Sequence, residues 1–258
     1  MSTVVVGGGR GFIGSSICRA LAAAGHEAIA IGRGETARGD VLVWAAGKKL
    51  PTLEENRAVH VTAALEALAA SGASKVIYVS SGECYGEAPL PWREDGPVRG
   101  TTPYAQAKLE GEQALSAKVP TVVLRPAVVY GPGQRPPMLL PSIVDALKRR
   151  EHVALTDGMQ TRDFVFVEDV ATAVVAALGV GPTTINIGSG IEVRVREACE
   201  TLGRLLDGEQ LLGFGERVRG PGDPVRYVLA VERAAEVLGW RATTTLEVGL
   251  ERLAASDA

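Results

Sequence analysis

Three side chains in the first half of the chain have the chemistry needed for proton transfer. Ser81 lies in S-S-G-E-C-Y-G, and Tyr104 and Lys108 lie in Y-A-Q-A-K. A tyrosine with its ordinary pKa near 10 is a poor acid or base at neutral pH, but a neighbouring ammonium group stabilises the phenolate and lowers that pKa. The i, i+4 spacing puts Tyr104 and Lys108 on one helix face. Ser81 can hydrogen-bond the same substrate oxygen, so the set suits proton exchange beside a hydride transfer.

The N-terminal segment could position a dinucleotide next to these groups. A β-branched run over residues 3–6 ends in glycines, and apolar residues then recur at helical spacing. Gly8, Gly11 and Gly14 form G-x-x-G-x-x-G, in which missing side chains let a pyrophosphate approach the backbone at a helix N-terminus. A strand, a tight turn and a helix are predicted here, with a Gly-rich turn that binds no ligand as the alternative.

The end of the second predicted strand, residues 27–31, bears on which dinucleotide binds. An NAD site places a carboxylate there for the ribose 2′-hydroxyl, and this chain has Gly32 and Arg33. A guanidinium suits a 2′-phosphate, because it offers a fixed fork of donors and a permanent charge. Arg10, inside the glycine turn, is expected beside Arg33. The expected cofactor is therefore NADP(H), with NAD(H) as the alternative and a solvated Arg33 as the interpretation without function.

The remaining elements predict an α/β chain built on a Rossmann-type, doubly wound parallel sheet. Only a few residues separate Arg33 from the next strand at Asp40, so one edge strand and its helix are expected to be missing. A capping box from Thr52 to Glu55 starts a predicted helix that runs to Ser71. We expect a dinucleotide-binding core over residues 1–135, to which parts of 160–190 return, and a small α+β substrate lobe over 136–258.

Composition limits the partners. The net charge is −3, with both signs spread along the chain, so neither nucleic acid nor an anionic membrane is expected. Cys18, Cys84 and Cys199 are isolated, which predicts no disulfide framework, no metal site and a reducing compartment. No apolar stretch approaches the length of a membrane span, and the N-terminus has no basic leader pattern. A soluble, cytoplasmic protein is expected.

Several motifs in one order resemble the extended short-chain dehydrogenase/reductases of the nucleotide-sugar epimerase/dehydratase family. They are G-G-R-G-F-I-G, S-S-G-E-C-Y-G, Y-A-Q-A-K, L-R-P-A-V-V-Y-G-P-G, T-R-D-F-V-F-V-E-D-V, I-N-I-G-S-G and G-D-P-V-R with L-G-W. The resemblance implies NAD(P), a Ser-Tyr-Lys site and a sugar attached to a nucleoside diphosphate. It also implies a homodimer made through helices near residues 52–71 and 104–117.

Site residues follow from the motifs and the resemblance together. The expected catalytic residues are Ser81, Tyr104 and Lys108, with Glu83 as either a proton-abstracting base or a loop carboxylate. Arg162 and Arg219 are expected to hold the substrate diphosphate, with surface ion pairing as the alternative. The expected cofactor-binding residues are Gly8, Arg10, Gly11, Phe12, Ile13, Gly14, Arg33, Ala45, Ala46, Tyr104, Lys108, Pro126 and Val128.

Four functions fit this sequence. The first is an NADPH-dependent ketoreductase acting on a nucleotide-linked keto-sugar, and the second is an NAD-dependent nucleotide-sugar 4-epimerase that uses the same residues. The third is a ketoreductase of a non-sugar natural product. The fourth, a dinucleotide-sensing protein without catalysis, is disfavoured because a sensor does not need Ser81, Tyr104 and Lys108 together. A 4,6-dehydratase is disfavoured because such family members carry Thr-Asp-Glu where this chain has Ser81-Gly82-Glu83.

Overall fold

A computed structural model describes residues 1–47, 49–86, 88–220 and 223–256 of the 258 in the chain. The strands are β1 Thr3–Gly7, β2 Glu27–Ile31, β3 Val41–Trp44, β4 Lys75–Val79, β5 Thr121–Pro126, β6 Val128–Tyr130, β7 Val153–Leu155, β8 Thr161–Phe166, β9 Thr183–Ile187, β10 Glu192–Arg194 and β11 Leu212–Phe214. The α-helices are α1 Phe12–Ala23, α2 Leu53–Arg57, α3 Ala63–Ser71, α4 Pro103–Ser116, α5 Leu139–Lys148, α6 Val167–Ala177, α7 Val195–Leu205, α8 Glu232–Leu238 and α9 Leu246–Ala255.

The central feature is a six-stranded parallel sheet in the order β2-β1-β3-β4-β5-β9. Its inner strands are apolar runs buried on both faces, as in the V-L-V-W of β3, which is the pattern of a sheet covered by helices on both sides. The strand order reverses next to β1, which places a ligand crevice at the carboxyl ends of the strands. The predicted α/β, Rossmann-type fold is confirmed.

The predicted absence of an edge strand and its helix is also confirmed. β2 lies at the edge of the sheet, and residues 32–40 lead directly across β1 to β3. Two hydrogen bonds secure the end of this loop: Gly39 N–H donates to the Ser71 carbonyl at 3.2 Å and Asp40 N–H to the Thr3 carbonyl at 2.8 Å. No strand and helix intervene between β2 and β3.

The helix predicted over residues 52–71 starts as expected but is not continuous. Thr52 and Glu55 form the capping box. A π-helical turn, Ala58–Thr62, then separates α2 from α3. The Tyr78 hydroxyl donates a hydrogen bond to the His60 carbonyl at 3.1 Å, and such an inserted side chain disturbs the i→i−4 ladder. This contact comes from a strand, so helical periodicity alone gave no sign of the interruption.

The second half of the chain contributes to two hydrophobic clusters. β9 joins the central sheet, and Lys75 of β4 donates to the carbonyls of Ala177, Leu178 and Val180 at 2.7–2.9 Å, which caps the end of α6. The sheets β10-β8-β6 and β11-β7, with α5, α7 and α9, surround a separate cluster. Its fully buried members include Ile143, Leu202 and Leu250.

The three cysteines are free thiols. Burial raises the pKa values of Cys84 and Cys199 to about 12, which keeps both thiols protonated and unreactive at neutral pH.

Within the described ranges, no group of three or more His, Cys, Asp or Glu side chains could hold a metal ion. No helix in the same ranges is long and apolar enough to cross a bilayer.

Candidate active site

The glycine turn between β1 and α1 is shaped for close approach of a ligand. Gly8 has φ +74°, and a Cβ on Gly14 would overlap the Gly8 carbonyl. Gly11 is the N-cap residue of α1 and makes no side-chain cap, and the first turn of the helix carries no acidic residue. The N–H groups of Phe12 and Ile13 are therefore suited to an anion. These residues fit the pyrophosphate of a dinucleotide.

The wall next to this turn comes from the strand ends. Ala46 follows β3, and its Cα lies against Gly8, so closely that a Cβ on Gly8 would overlap it. Ala45 N–H donates to the Gly7 carbonyl at 3.0 Å. Pro126 ends β5 and Val128 begins β6, at the same carboxyl edge of the sheet. All four residues therefore lie at the carboxyl edge of the central sheet, where a Rossmann-type fold receives its ligand.

Arg10 and Arg33, expected as two free cations beside the glycine turn, differ in the structure, because Arg10 is paired with Glu35. The Arg10 Nη1 donates to the Glu35 Oε1 at 2.8 Å, and the Gly32 N–H donates to the Glu35 Oε2 at 2.9 Å. A carboxylate therefore does lie at the end of β2, contrary to the sequence analysis, because the chain turns back after Arg33. Arg33 itself is exposed.

The residues expected to transfer protons come together at the end of β4 and the start of α4. Ser81 follows β4, and α4 begins at Pro103, where the Thr102 hydroxyl accepts a hydrogen bond from Ala105 N–H at 3.1 Å. The Lys108 Nζ lies 5.7 Å from the centroid of the Tyr104 ring and donates to the Val79 carbonyl at 2.8 Å. The three residues therefore converge in space although 27 positions separate the first from the last.

The electrostatics of the site differ from the expectation. Removal from water raises the pKa of the Tyr104 phenol above its ordinary value, the Glu83 carboxylate raises it further, and the hydroxyl of Ser81 acts in the opposite direction. Burial lowers the pKa of Lys108 to about 8. The pKa of Tyr104 is therefore raised, not lowered as predicted from the spacing, although Lys108 lies beside its ring.

Two residues near Tyr104 were not identified from the sequence. The Lys49 Nζ forms an ion pair with Glu83 and lies 5.7 Å from the centroid of the Tyr104 ring. The buried His60 ring packs edge-to-face on Tyr104 with centroids 5.2 Å apart. For Lys49 the available signal was a lysine shortly after the A-A-G that follows β3. For His60 no signal existed, because the π-helical turn brings its ring to this position.

The helix that carries Tyr104 and Lys108 is anchored by a buried ionic network. The Arg125 Nε and Nη2 donate to the Glu112 Oε1 and Oε2 at 3.0 and 2.6 Å. The Ser80 Oγ donates to the same Oε1 at 2.5 Å. All three side chains are buried. Because Ser80 precedes Ser81 and Glu112 lies one turn beyond Lys108, this network fixes the strand and the helix relative to each other.

The residues expected to bind the substrate border two adjoining cavities. Arg162 donates to the carbonyls of Thr161 and Pro224 at 2.6 and 2.9 Å and pairs with Asp223, at the edge of a cavity of about 230 Å³ that Val128 also lines. Arg219 lies in a second cavity of about 430 Å³ together with Arg217. Gly222 of the G-D-P-V-R motif lies outside the described residues. Arg162 is therefore held in place, whereas Arg219 is exposed.

The sequence of the chain matches a known family model. The model of the NAD dependent epimerase/dehydratase family matches residues 4–50 and 42–188. The chain belongs to this family. The two matched segments meet around β3, next to the short loop 32–40. As an epimerase/dehydratase family member, the protein belongs to a group of NAD-dependent enzymes.

Individual relatives agree with the family assignment. The UDP-glucose 4-epimerase of Mycolicibacterium smegmatis is 34% identical over 72% of this chain, which spans 63% of that relative's length. The UDP-glucose 4-epimerase of Azospirillum brasilense is 32% identical, and the match covers 92% of this chain and 86% of the relative. Among solved structures, MoeE5 in complex with UDP-glucuronic acid and NAD is 29% identical, with a TM-score of 0.86 over 98% of this chain and 97% of the other.

Proposed function

We propose that the protein is a cytoplasmic NAD-dependent nucleotide-sugar 4-epimerase, which inverts the hydroxyl at C4 of a sugar attached to a nucleoside diphosphate. The observation that carries this proposal is the convergence of Ser81, Tyr104 and Lys108 at the strand ends, next to the glycine turn. The relatives named 4-epimerases, one of which matches 92% of the chain, support the reaction type.

Tyr104 acts as the acid and base in this proposal. Its phenolate oxygen removes the proton of the sugar 4-hydroxyl and returns a proton when the alcohol forms again. The Ser81 hydroxyl holds the same oxygen in line, and the Lys108 ammonium stabilises the phenolate. Bound NAD would supply the acceptor and later the donor of the C4 hydride, together with a positive charge that favours the phenolate.

The phosphate groups of the substrate would be held by arginines of the second half. Arg162 lies beside the smaller cavity, where its guanidinium is fixed by backbone carbonyls, and Arg219 and Arg217 lie at the larger one. A guanidinium binds phosphate oxygens through two parallel hydrogen bonds. MoeE5 was solved with UDP-glucose and with UDP-glucuronic acid, so we propose a UDP-hexose as the substrate.

The proposed cofactor is NAD rather than NADP. In the sequence, Arg10 and Arg33 with no carboxylate at the end of β2 favour NADPH and a ketoreductase. The structure places Glu35 against Arg10, and the MoeE5 complexes contain NAD. The NADPH-dependent ketoreductases therefore rank behind the epimerase.

A homodimer is the proposed assembly. α4 and the π-helical turn between α2 and α3 present polar and small residues to the solvent, among them the exposed Ala58, Thr62, Gln106 and Gln113. The Arg57–Glu110 ion pair, with distances of 2.6 and 2.5 Å, links α2 to α4 on this face. Light scattering during gel filtration measures the assembly directly, and a monomeric mass would refute this part of the proposal.

One experiment separates the epimerase from the ketoreductase. Purified protein is incubated with UDP-glucose, with and without added NAD, and the products are separated by chromatography and assigned by NMR. Formation of UDP-galactose without net accumulation of NADH is the expected result. Steady oxidation of NADPH by a nucleotide-linked 4-keto-sugar, without epimerisation of a panel of UDP-hexoses, would support the ketoreductase instead.

A further inference from the structure

Glu35 occupies a fixed position at the end of β2. Its two carboxylate oxygens accept one hydrogen bond each, from Arg10 Nη1 at 2.8 Å and from Gly32 N–H at 2.9 Å. The Glu35 N–H donates back to the Gly32 carbonyl at 3.3 Å, which closes a tight turn. The carboxylate therefore faces the glycine turn, and the Glu35 side chain, 48% exposed, remains accessible to a ligand.

This position borders the place where a Rossmann-type site receives the adenosine ribose. The Gly8 N–H donates to the Ile31 carbonyl at 3.0 Å, so the glycine turn and the end of β2 are joined directly. A dinucleotide whose pyrophosphate lies at the N-terminus of α1 extends its adenosine ribose towards the end of β2. Residues 32–40 border this side, because β2 is the edge strand of the six-stranded sheet.

We propose that Glu35 is the residue that makes the site select NAD(H) over NADP(H), an inference that rests on the proposed function. A carboxylate oxygen has two lone-pair sites, and each oxygen of Glu35 uses one of them for Arg10 or Gly32. The remaining sites can accept hydrogen bonds from the ribose 2′- and 3′-hydroxyls. A 2′-phosphate at the same place would bring a second negative group against the carboxylate.

Glu35 also changes what Arg10 offers to a ligand. The Arg10 side chain is 64% exposed, and Glu35 compensates its charge. Without Glu35, Arg10 and the exposed Arg33 would be two cations with donors available to a 2′-phosphate. Removal of this one acidic side chain should therefore leave a site in which Arg10 and Arg33 favour NADP.

The test measures the binding of the reduced dinucleotides, independently of turnover. NADH and NADPH are titrated into the purified protein, and Kd is read from nicotinamide fluorescence and by calorimetry. Glu35→Ala removes a hydrogen bond to a charged group, so its affinity for NADH is expected to fall about tenfold. Its affinity for NADPH is expected to rise at least about tenfold above that of the wild type. Glu35→Gln keeps an acceptor oxygen and removes the charge, so it should tighten NADPH with a smaller loss of NADH binding.

Two further variants control for net charge and for Arg10. Glu54→Ala removes an exposed acidic side chain from the first turn of α2, and its ratio of Kd values should equal that of the wild type. Arg10→Ala combined with Glu35→Ala should lose much of the gain in NADPH affinity. Thermal unfolding and circular dichroism verify the fold of each variant, and Glu35→Gln decides the result if Glu35→Ala does not fold.

The outcomes separate the inference from the function on which it rests. If the wild type binds NADH and the Glu35 variants keep its ratio of Kd values, the role of Glu35 is refuted and the proposed function stands. If the wild type prefers NADPH, the role of Glu35 is refuted together with the proposed cofactor. If the wild type binds neither dinucleotide, both proposals fail.

Discussion

The Glu112 carboxylate and the Arg125 guanidinium form a two-bond ion pair in the protein interior, with N···O distances of 2.6 and 3.0 Å. Both side chains are less than 10% exposed. The pair joins α4 to β5, and α4 carries Tyr104 and Lys108. The ion pair therefore affects the position of the helix that carries the proposed catalytic residues, as well as the stability of the fold.

Glu112→Ala should destabilise the protein strongly. Removing one member of a buried ion pair leaves the other charge buried without compensation, which costs about 3–5 kcal/mol. Urea unfolding followed by circular dichroism measures this loss. Glu110→Ala is the matched control on the same helix: its pair with Arg57 is exposed, so the free energy of unfolding should hardly change. Equal effects of the two substitutions would contradict the role given to Glu112.

Tyr104→Phe should abolish most of the epimerase activity and leave dinucleotide binding nearly intact. The phenylalanine keeps the ring that packs on His60 but lacks the hydroxyl that exchanges the proton, and general acid–base catalysis contributes about 10²–10⁴-fold. The measurement is kcat for conversion of UDP-glucose, together with the Kd of NADH. Unchanged turnover would exclude Tyr104 as the acid and base.

Titration of Lys108 should reduce kcat at basic pH. Burial lowers the pKa of its ammonium to about 8, so the side chain is charged below this pH and neutral above it. Since the charged form stabilises the phenolate, kcat should fall as the pH rises through about 8. Lys108→Met should be poorly active at every pH and show no such limb. The exposed Lys118→Met is the control, and its profile should match the wild type.

Turnover in D2O should leave the sugar carbons free of deuterium. An epimerase returns the C4 hydride directly, and its reaction needs no base at C5. Glu83, the candidate base for such a step, is paired with Lys49. We therefore expect NMR of the product to show no deuterium at C4 or C5, and Glu83→Gln to lose less than about 100-fold in kcat, below the usual range for loss of a general base. Deuterium at C5 would instead point to elimination chemistry with Glu83 as the base.

Gly14→Ala should remove dinucleotide binding, because the new Cβ would overlap the Gly8 carbonyl and force the turn open. Gly181→Ala is the control, since a Cβ there meets no atom within 4 Å. Titration with NADH distinguishes the two variants, and a folded Gly14→Ala protein with wild-type affinity would show that the turn does not bind the cofactor.

The features predicted correctly from the sequence are those that neighbouring residues determine. The glycine turn, the capping box of Thr52 and Glu55 and the parallel strands follow from local spacing and composition. The missing edge strand followed from chain length, since a few residues between Arg33 and Asp40 are too few for a strand and a helix. Local patterns of this kind hold because each depends on contacts close in the sequence.

The features that were missed depend on contacts distant in the sequence or on an unusual turn. Glu35 reaches the end of β2 because the chain reverses at Gly34, which has φ +76°, whereas the familiar pattern has its acid at the strand end itself. The π-helical turn is contacted by Tyr78 of β4, and the Lys49–Glu83 pair joins the loop after β3 to the segment after β4. The raised pKa of Tyr104 depends on burial, which spacing does not reveal.

The direct connection from β2 to β3 makes this chain a reduced scaffold of its family. β2 is the outermost strand, and β3 pairs with the other side of β1, so a unit beyond β2 can be absent without breaking any ladder between the remaining strands. The same property makes loop 32–40 a natural graft site. A strand–helix segment inserted there would extend the sheet at its open edge, and the protein would then show what an added adenosine-side module contributes to retention of the cofactor.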